Sequence, residues 1–208
     1  MDGTLLRSTT ANAEIGRRLD IHHEVRMLDH EFATSDMSTQ EYALRLRGLW
    51  KVLEYSTIRE AFEAAPKLKR IKETVQDIHR RNHKAMLITM APRFFAELFE
   101  EYGFDAICAS DFPRDHRELL DIESILSPED KPRLAREFCM DHAIEFEQVV
   151  AYGDSRSDIA MFREARTSVS VNGDLHIQEF ASHRYEGGDL WEAYQMVVSA
   201  AAVQDSRV

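Results

Sequence analysis

Apolar positions along the chain follow two rhythms that change at Pro66. From about Ala11 to Pro66 they recur at helical spacing, and Tyr42, Leu46, Leu49, Trp50 and Leu53 share one face. Ser38 with Glu41 has the form of a capping box opening that helix. No alternating strand pattern occurs here, so the span reads as a small helical unit with Arg45 and Arg47 as surface charges. Tyr42 and Trp50 read as its core.

Beyond Pro66, Ile71, Val75 and Ile78 mark a helix, and Ala85–Ile88 is a short apolar strand running out in Thr89–Met90–Ala91–Pro92. Pro92 suits the first position of the next helix. That helix carries Phe95, Leu98, Phe99 and Tyr102 on one face and closes at Gly103. Phe104–Cys108 reads as a second strand and Arg117–Leu126 as a looser hairpin or flap. Ser127 and Pro128 read as the N-cap and first position of a helix. Val149–Gly153 and Thr167–Val171 are further strands, with a helix marked by Ile159, Met161 and Phe162 between them. Leu175–Ala181 reads as a short helix, and Leu190, Tyr194, Val197 and Ala201 mark the last one, before a tail at Gln204–Val208. Strands alternating with helices predict an α/β fold: a Rossmann-like parallel sheet covered by helices on both faces. The expected division is a core of residues 1–10 and 67–208 with a helical cap, residues 11–66, inserted into it.

Composition narrows the function classes. The 208 residues are 44% apolar, enough for one core and a small inserted unit. A formal charge of −11 leaves no basic footprint for nucleic acid or an anionic membrane surface. No run is long and apolar enough to span a bilayer, and no signal peptide opens the sequence. Cys108 and Cys139 are too few for a disulfide framework and read as reduced thiols, which suggests a cytoplasmic protein. His79 and His83 have the spacing of zinc ligands but no evident third ligand, and read as a solvated pair.

The chemistry gathers where strands end. After Gly153 come Asp154, Ser155, Ser157 and Asp158, at the carboxyl edge where open α/β sheets bind ligands. Carboxylates this close repel unless a cation is near, and a hard divalent ion with oxygen ligands fits them. Thr89 falls between a strand end and a helix N-terminus, a ready anion site. Lys131 stands in the first turn of a helix, against its dipole, a local conflict that hints at function. Asp2–Gly3–Thr4 opens the chain as a turn. Singly, these residues have plainer readings as caps, turns and solvated charges. Together they suit a phosphoryl group held against a metal ion.

In this order, the motifs resemble those of haloacid dehalogenase-superfamily phosphatases, of the phosphoserine-phosphatase-like branch with a helical cap after the first strand. Asp2–Gly3–Thr4–Leu5 resembles the end of the Asp-x-Asp-Gly-Thr motif, Thr89 the second motif, Lys131 the third, and Gly153–Asp154–Ser155 with Ser157–Asp158 the fourth. The resemblance implies a Mg2+-dependent phosphomonoesterase acting on a small phosphorylated metabolite. It makes Asp2 the general acid/base, with its backbone carbonyl on Mg2+. Asp154 is then a direct metal ligand, and Asp158 a ligand directly or through water. Thr89, Met90 and Lys131 hold phosphoryl oxygens; Ser157 stands where such enzymes often have Asn.

The family's nucleophilic Asp lies two positions before Asp2, which is upstream of Met1. The expectation is a reading frame that begins earlier, with Met1 inside an Asp-Met-Asp-Gly-Thr motif and a first strand before it. The alternatives are a non-catalytic ligand-binding relative and a phosphotransferase or mutase. For specificity, Thr9 occupies about the position of a Glu that reads the amine of phosphoserine, with Glu14 nearby. Arg47 matches the cap Arg that pairs with the substrate carboxylate. Met90–Ala91–Pro92 replace the Gly-Gly of phosphoserine phosphatases, as in branch members that act on sugar, glycerol or lipid-derived phosphates.

Overall fold

A computed structural model of the chain describes residues 1–205, with side chains through residue 199. Four helices come first: α1 (Ala11–Arg18), α2 (His22–Thr34), α3 (Thr39–Arg47) and α4 (Tyr55–Ala64). Caps explain where two of them begin. Thr10 Oγ1 accepts from Ala13 N at 3.0 Å, and Ser38 Oγ accepts from Glu41 N at 3.1 Å, as its spacing predicts. α3 ends at Arg47, six residues short of Leu53. Gly48 caps it, and the next residues leave the helix to bond the core: Leu53 N donates to Arg114 O at 2.8 Å, and His116 N donates to Lys51 O at 2.9 Å. Trp50 and Leu53 are buried all the same.

The remaining elements alternate: α5 (Ile71–Arg80), β1 (Met86–Pro92), α6 (Arg93–Ala96), β2 (Ala106–Ser110), α7 (Asp130–Asp141), β3 (Val150–Gly153), α8 (Ile159–Glu164), β4 (Thr167–Val171), α9 (Leu175–Gln178), β5 (His183–Tyr185) and α10 (Leu190–Asp205). All strand pairs are parallel. β1 pairs with β2, and β3, β4 and β5 form a second sheet in that order. The period of two sorts strand side chains onto opposite faces. Leu87, Val150, Tyr152, Val169 and Val171 join one apolar cluster, and Ile88, Val149 and Ala151 join another under α7, α8 and α9. The larger cluster also takes in Ile15, Leu46, Trp50 and Ile58, so the first four helices pack into the same core as the strands. Their entry and exit are tied together: Arg7 N donates to Pro66 O at 2.8 Å and Leu68 N to Leu5 O at 2.9 Å.

Several local expectations are corrected. Pro92 ends β1 and caps α6 rather than opening it, and the face carrying Leu98, Phe99 and Tyr102 continues as a 3-10 helix, Glu97–Tyr102. Residues 111–126 form no hairpin; they hold one antiparallel bridge, Val52 with Asp115, and a 3-10 turn at Ile122–Ser124. Their partner is the segment after α3, which a local pattern does not reveal. α7 begins at Asp130, because the Asp130 carboxylate accepts from Ser127 N at 2.8 Å and holds the preceding turn. β5 has no counterpart in the apolar pattern. His79 is not free: its Nε2 lies 2.8 Å from Asp105 Oδ2, which also takes Ala85 N at 2.8 Å. α10 includes Gln204 and Asp205; the rest of the expected tail and the side chain of Ala201 lie outside the described residues. Among the described residues, no helix is long and apolar enough to cross a membrane.

Trp50 links the first helices to the rest. It is 1% exposed, with Phe94 at 6.4 Å and Phe112 at 6.5 Å between ring centroids, and its indole N–H has no partner among the described residues. Trp50→Ala should lower stability by about 3–5 kcal/mol in urea unfolding. Trp50→Phe should cost less than half as much, because it keeps the ring contacts and removes an unpaired buried donor.

Candidate active site

β3 ends at Gly153, and the chain then wraps around the carboxylate of Asp158. Asp158 Oδ2 accepts from Asp154 N at 3.0 Å and Ser155 N at 3.2 Å, and Ser155 and Asp158 cap the turn reciprocally. Glycine is required at 153, since a Cβ there would lie 2.5 Å from Asp158 Cγ. From α7, Lys131 Nζ donates to Asp158 Oδ1 at 2.6 Å and to Ser157 Oγ at 3.1 Å. Lys131 and Asp158 are both buried. Burial opposes ionisation of Asp158, but the Lys131 ammonium outweighs it, and the carboxyl is held below its usual range.

Asp154 has the opposite environment. Thr4 Oγ1 donates to its Oδ1 at 2.7 Å, and Gly3, at φ +69°, lies so close that a Cβ would come within 1.9 Å of Oδ2. Among the described residues it has no ion-pair partner. Burial, and then repulsion from Asp158, pushes its carboxyl up to about 7. Asp2 Oδ1 accepts from Ala11 N at 2.9 Å, at the start of α1. Burial raises this carboxyl to about 6, and the charge of Asp29 adds to the rise. Gly3 lies against Asp154, and Lys131 reaches Asp158 on the same turn, so Asp2–Gly3, Lys131, Asp154 and Asp158 are gathered beside the end of β3.

Thr89 is buried on β1, where the ladder with β2 loses register; its Oγ1 accepts from Ala91 N at 3.2 Å. Met90 is half-buried in that break, and α7 packs against β1. The two specificity candidates are engaged elsewhere. The Thr9 hydroxyl donates to Glu14, which also pairs with Arg17. Arg47 Nη2 donates to the carbonyl of His116 in the 111–126 loop. A cleft of about 390 Å³ beside that loop, lined by Arg93, Phe94, Asp111 and Arg114 among others, includes none of the gathered residues.

Sequence reasoning missed a polar network on the first helices. Tyr42 Oη donates to Asp29 Oδ1 at 2.5 Å, Thr10 Oγ1 donates to Asp29 Oδ2 at 3.3 Å, and Asn12 Nδ2 donates to Tyr42 Oη at 3.1 Å. Tyr42 shares a helical face with apolar residues, and nothing in that periodicity marks its hydroxyl as engaged.

The donor set can be tested against a divalent ion. Among the described residues, no three acidic, His or Cys side chains are placed as a ligand group. Asp158 is expected on the ion directly or through water; both its oxygens already accept hydrogen bonds, from Lys131 and from the turn. Asp154 fits, as a recessed carboxylate with no ion-pair partner among the described residues, close to the Asp2–Gly3 backbone. One carboxylate plus carbonyl and water oxygens suits Mg2+, which keeps much of its hydration.

A sequence model of haloacid dehalogenase-like hydrolases matches residues 1–163. The chain is 22% identical to a phosphoserine phosphatase of Methanocaldococcus jannaschii over 199 residues, 94% of each protein. Two solved structures share the fold. A substrate-bound phosphoserine phosphatase complex superposes with a TM-score of 0.81 at 20% identity, covering 94% of both chains. A phospho-aspartyl intermediate analogue of phosphoserine phosphatase gives 0.80 at 20% identity, covering 94% of this chain and 95% of that one.

Lys131→Met keeps volume but strands the buried Asp158 charge, and should cost about 3–5 kcal/mol in chemical denaturation; adding Asp158→Asn should restore part of the loss. Asp154 should give a pH signature. Its folded pKa is raised from 3.8 to about 7, so stability is lost as pH rises through that window. Asp154→Asn should therefore raise the melting temperature at pH 8 without divalent ions, and the gain should fade toward pH 4.

Proposed function

Because the chain belongs to the haloacid dehalogenase-like hydrolase family, we propose that it is a Mg2+-dependent phosphomonoesterase of the phosphoserine-phosphatase-like kind. The observation that carries this reading is the unequal pair of neighbouring carboxylates. Asp158 is paired with Lys131, while Asp154, recessed beside it, has no ion-pair partner among the described residues. An uncompensated carboxylate next to an ammonium and a serine hydroxyl suits a divalent ion and a dianion held together. End-to-end similarity to a phosphoserine phosphatase supports the same reading.

In this reading Lys131, Ser157 and Thr89, with the backbone at Met90, hold the phosphoryl oxygens. Asp154 and the carbonyl of Asp2 hold Mg2+, and Asp158 positions Lys131 and the turn. When bound, the ion neutralises charge on the phosphoryl group. Asp2, titrating near 6, donates a proton to the leaving oxygen as the ester P–O bond breaks. It then takes a proton from the water that releases phosphate. We assign the nucleophile of the aspartyl-phosphate route to a carboxylate just upstream of Met1.

The 208-residue chain should give no Mg2+-dependent hydrolysis of an aryl phosphate above background. A chain extended at its N-terminus, with Asp two positions before Asp2, should turn it over. In that extended chain Asp2→Asn should lower kcat by about 10²–10⁴-fold. Binding without turnover in the extended chain would favour a ligand-binding role, and transfer to an acceptor other than water a phosphotransferase.

A further inference from the structure

β2 has one free edge. It pairs with β1 on one side and has no strand partner on the other among the described residues. Asp105 N donates to Ala85 O at 2.8 Å, which turns its backbone toward β1. By the alternation of a strand, the N–H and C=O groups of Ala106 and Cys108 point the other way. Such edges are ordinarily guarded by charges, Pro or a bulge. The sequence of β2, Ala-Ile-Cys-Ala-Ser, has neither charge nor Pro, and the break in the ladder falls between Thr89 and Pro92 on β1. Ala106, Ile107 and Cys108 stay half-exposed. Cys108 is in register with Ile88, whose apolar cluster lies under α7, α8 and α9, so its side chain is on the α7 face. On α7, Arg133 and Glu137 pair at 2.8 Å, both half-exposed, and their charges act on the Cys108 thiol.

This edge is complementary to itself. A two-fold axis normal to the sheet at Cys108 sets β2 antiparallel to a second β2. Cys108 then exchanges both backbone bonds with the partner's Cys108, and Ala106 faces the partner's Ser110, with short side chains throughout. Asp105 meets the partner's Asp111, but each brings its own cation, Lys84 at 2.8 Å and Arg93 at 3.4 Å. α7 packs against β1, so its two copies stand three strand spacings apart, about 14 Å. That exceeds the about 8–10 Å of direct helix contact and leaves room for long side chains between them. The axis exchanges Arg133 and Glu137, setting each opposite its counter-charge.

We propose that the free edge of β2 joins two copies of this chain in an antiparallel, two-fold dimer centred on Cys108, with Arg133 and Glu137 of the two α7 helices bridging above it. The strand ends that carry Asp154 and Lys131 then face opposite ends of the dimer, and each copy keeps its own site.

The test is analytical ultracentrifugation of the 208-residue chain in reductant, up to about 100 µM. The expected mass at the upper end is twice the 24.0 kDa of one chain. Cys108→Lys sets like charges against each other on the axis, and Glu137→Arg sets Arg against Arg133. Each should weaken the dimer at least tenfold while circular dichroism shows a folded chain. Arg133→Glu combined with Glu137→Arg swaps both charges and should restore dimerisation to within threefold of the native chain. Should Cys108→Lys fail to fold, Glu137→Arg and its charge-swapped rescue decide. As a second readout, diamide oxidation of the native dimer should link Cys108 to Cys108, two thiols giving two electrons and two protons to the diazene, as mapped by mass spectrometry. A native chain that stays at 24.0 kDa throughout overturns the proposal. So does a dimer that ignores Glu137→Arg and the folded Cys108→Lys, or one that forms no Cys108–Cys108 link.

Discussion

The buried contact between Lys131 and Asp158 sets the geometry of everything around it. Each ion loses several kcal/mol of hydration on burial, and the pair survives only if its remaining polar valences are met. Asp158 meets this by accepting two backbone N–H groups of its own turn, and Lys131 by donating to Ser157. Those bonds dictate the path of residues 153–158, exclude a side chain at Gly153, and hold α7 to the end of β3. The unfavourable place of Lys131 near the start of α7 then has a cause. Its ammonium is held by a carboxylate from another element, and that attraction outweighs the local dipole.

Asp154 shows what the pair leaves over. It stands four positions from Asp158, yet one carboxyl is driven down and the other up. A fold that stabilises one charge and leaves its neighbour strained stores electrostatic potential that a bound cation can discharge. Strongly perturbed carboxyls in one recess are common at functional sites. Asp2, raised beside the first turn of α1, extends the same condition to a third carboxyl.

The helices that precede the strands supply both apolar packing and a buried polar network. Trp50 and Leu46 lie in one apolar cluster with Val169 and Leu190, while Tyr42, Asn12 and Asp29 turn polar atoms to one another above Asp2. Rigid packing on one side of α1 thus positions hydrogen-bonding groups on the other. The antiparallel bridge between Val52 and Asp115 and the bond from Arg47 to the His116 carbonyl extend that support to the 111–126 loop.

By itself the sequence determined what depends on neighbours along the chain. The α/β alternation, the cap at Ser38, the buried strand runs and the motif order from Asp2 through Thr89 and Lys131 to Asp154 were all legible, because helical and strand periodicity and capping act over a few residues. Only the tertiary structure decided which carboxylate is paired and which is bare, where Arg47 points, that the 111–126 loop has no hairpin, and that Asp29 reaches Tyr42. Those outcomes depend on groups far apart in the chain, 27 positions for Lys131 and Asp158 and 69 for Arg47 and His116. Such a contact leaves no local periodicity, and burial sets its strength only once the chain has closed around it.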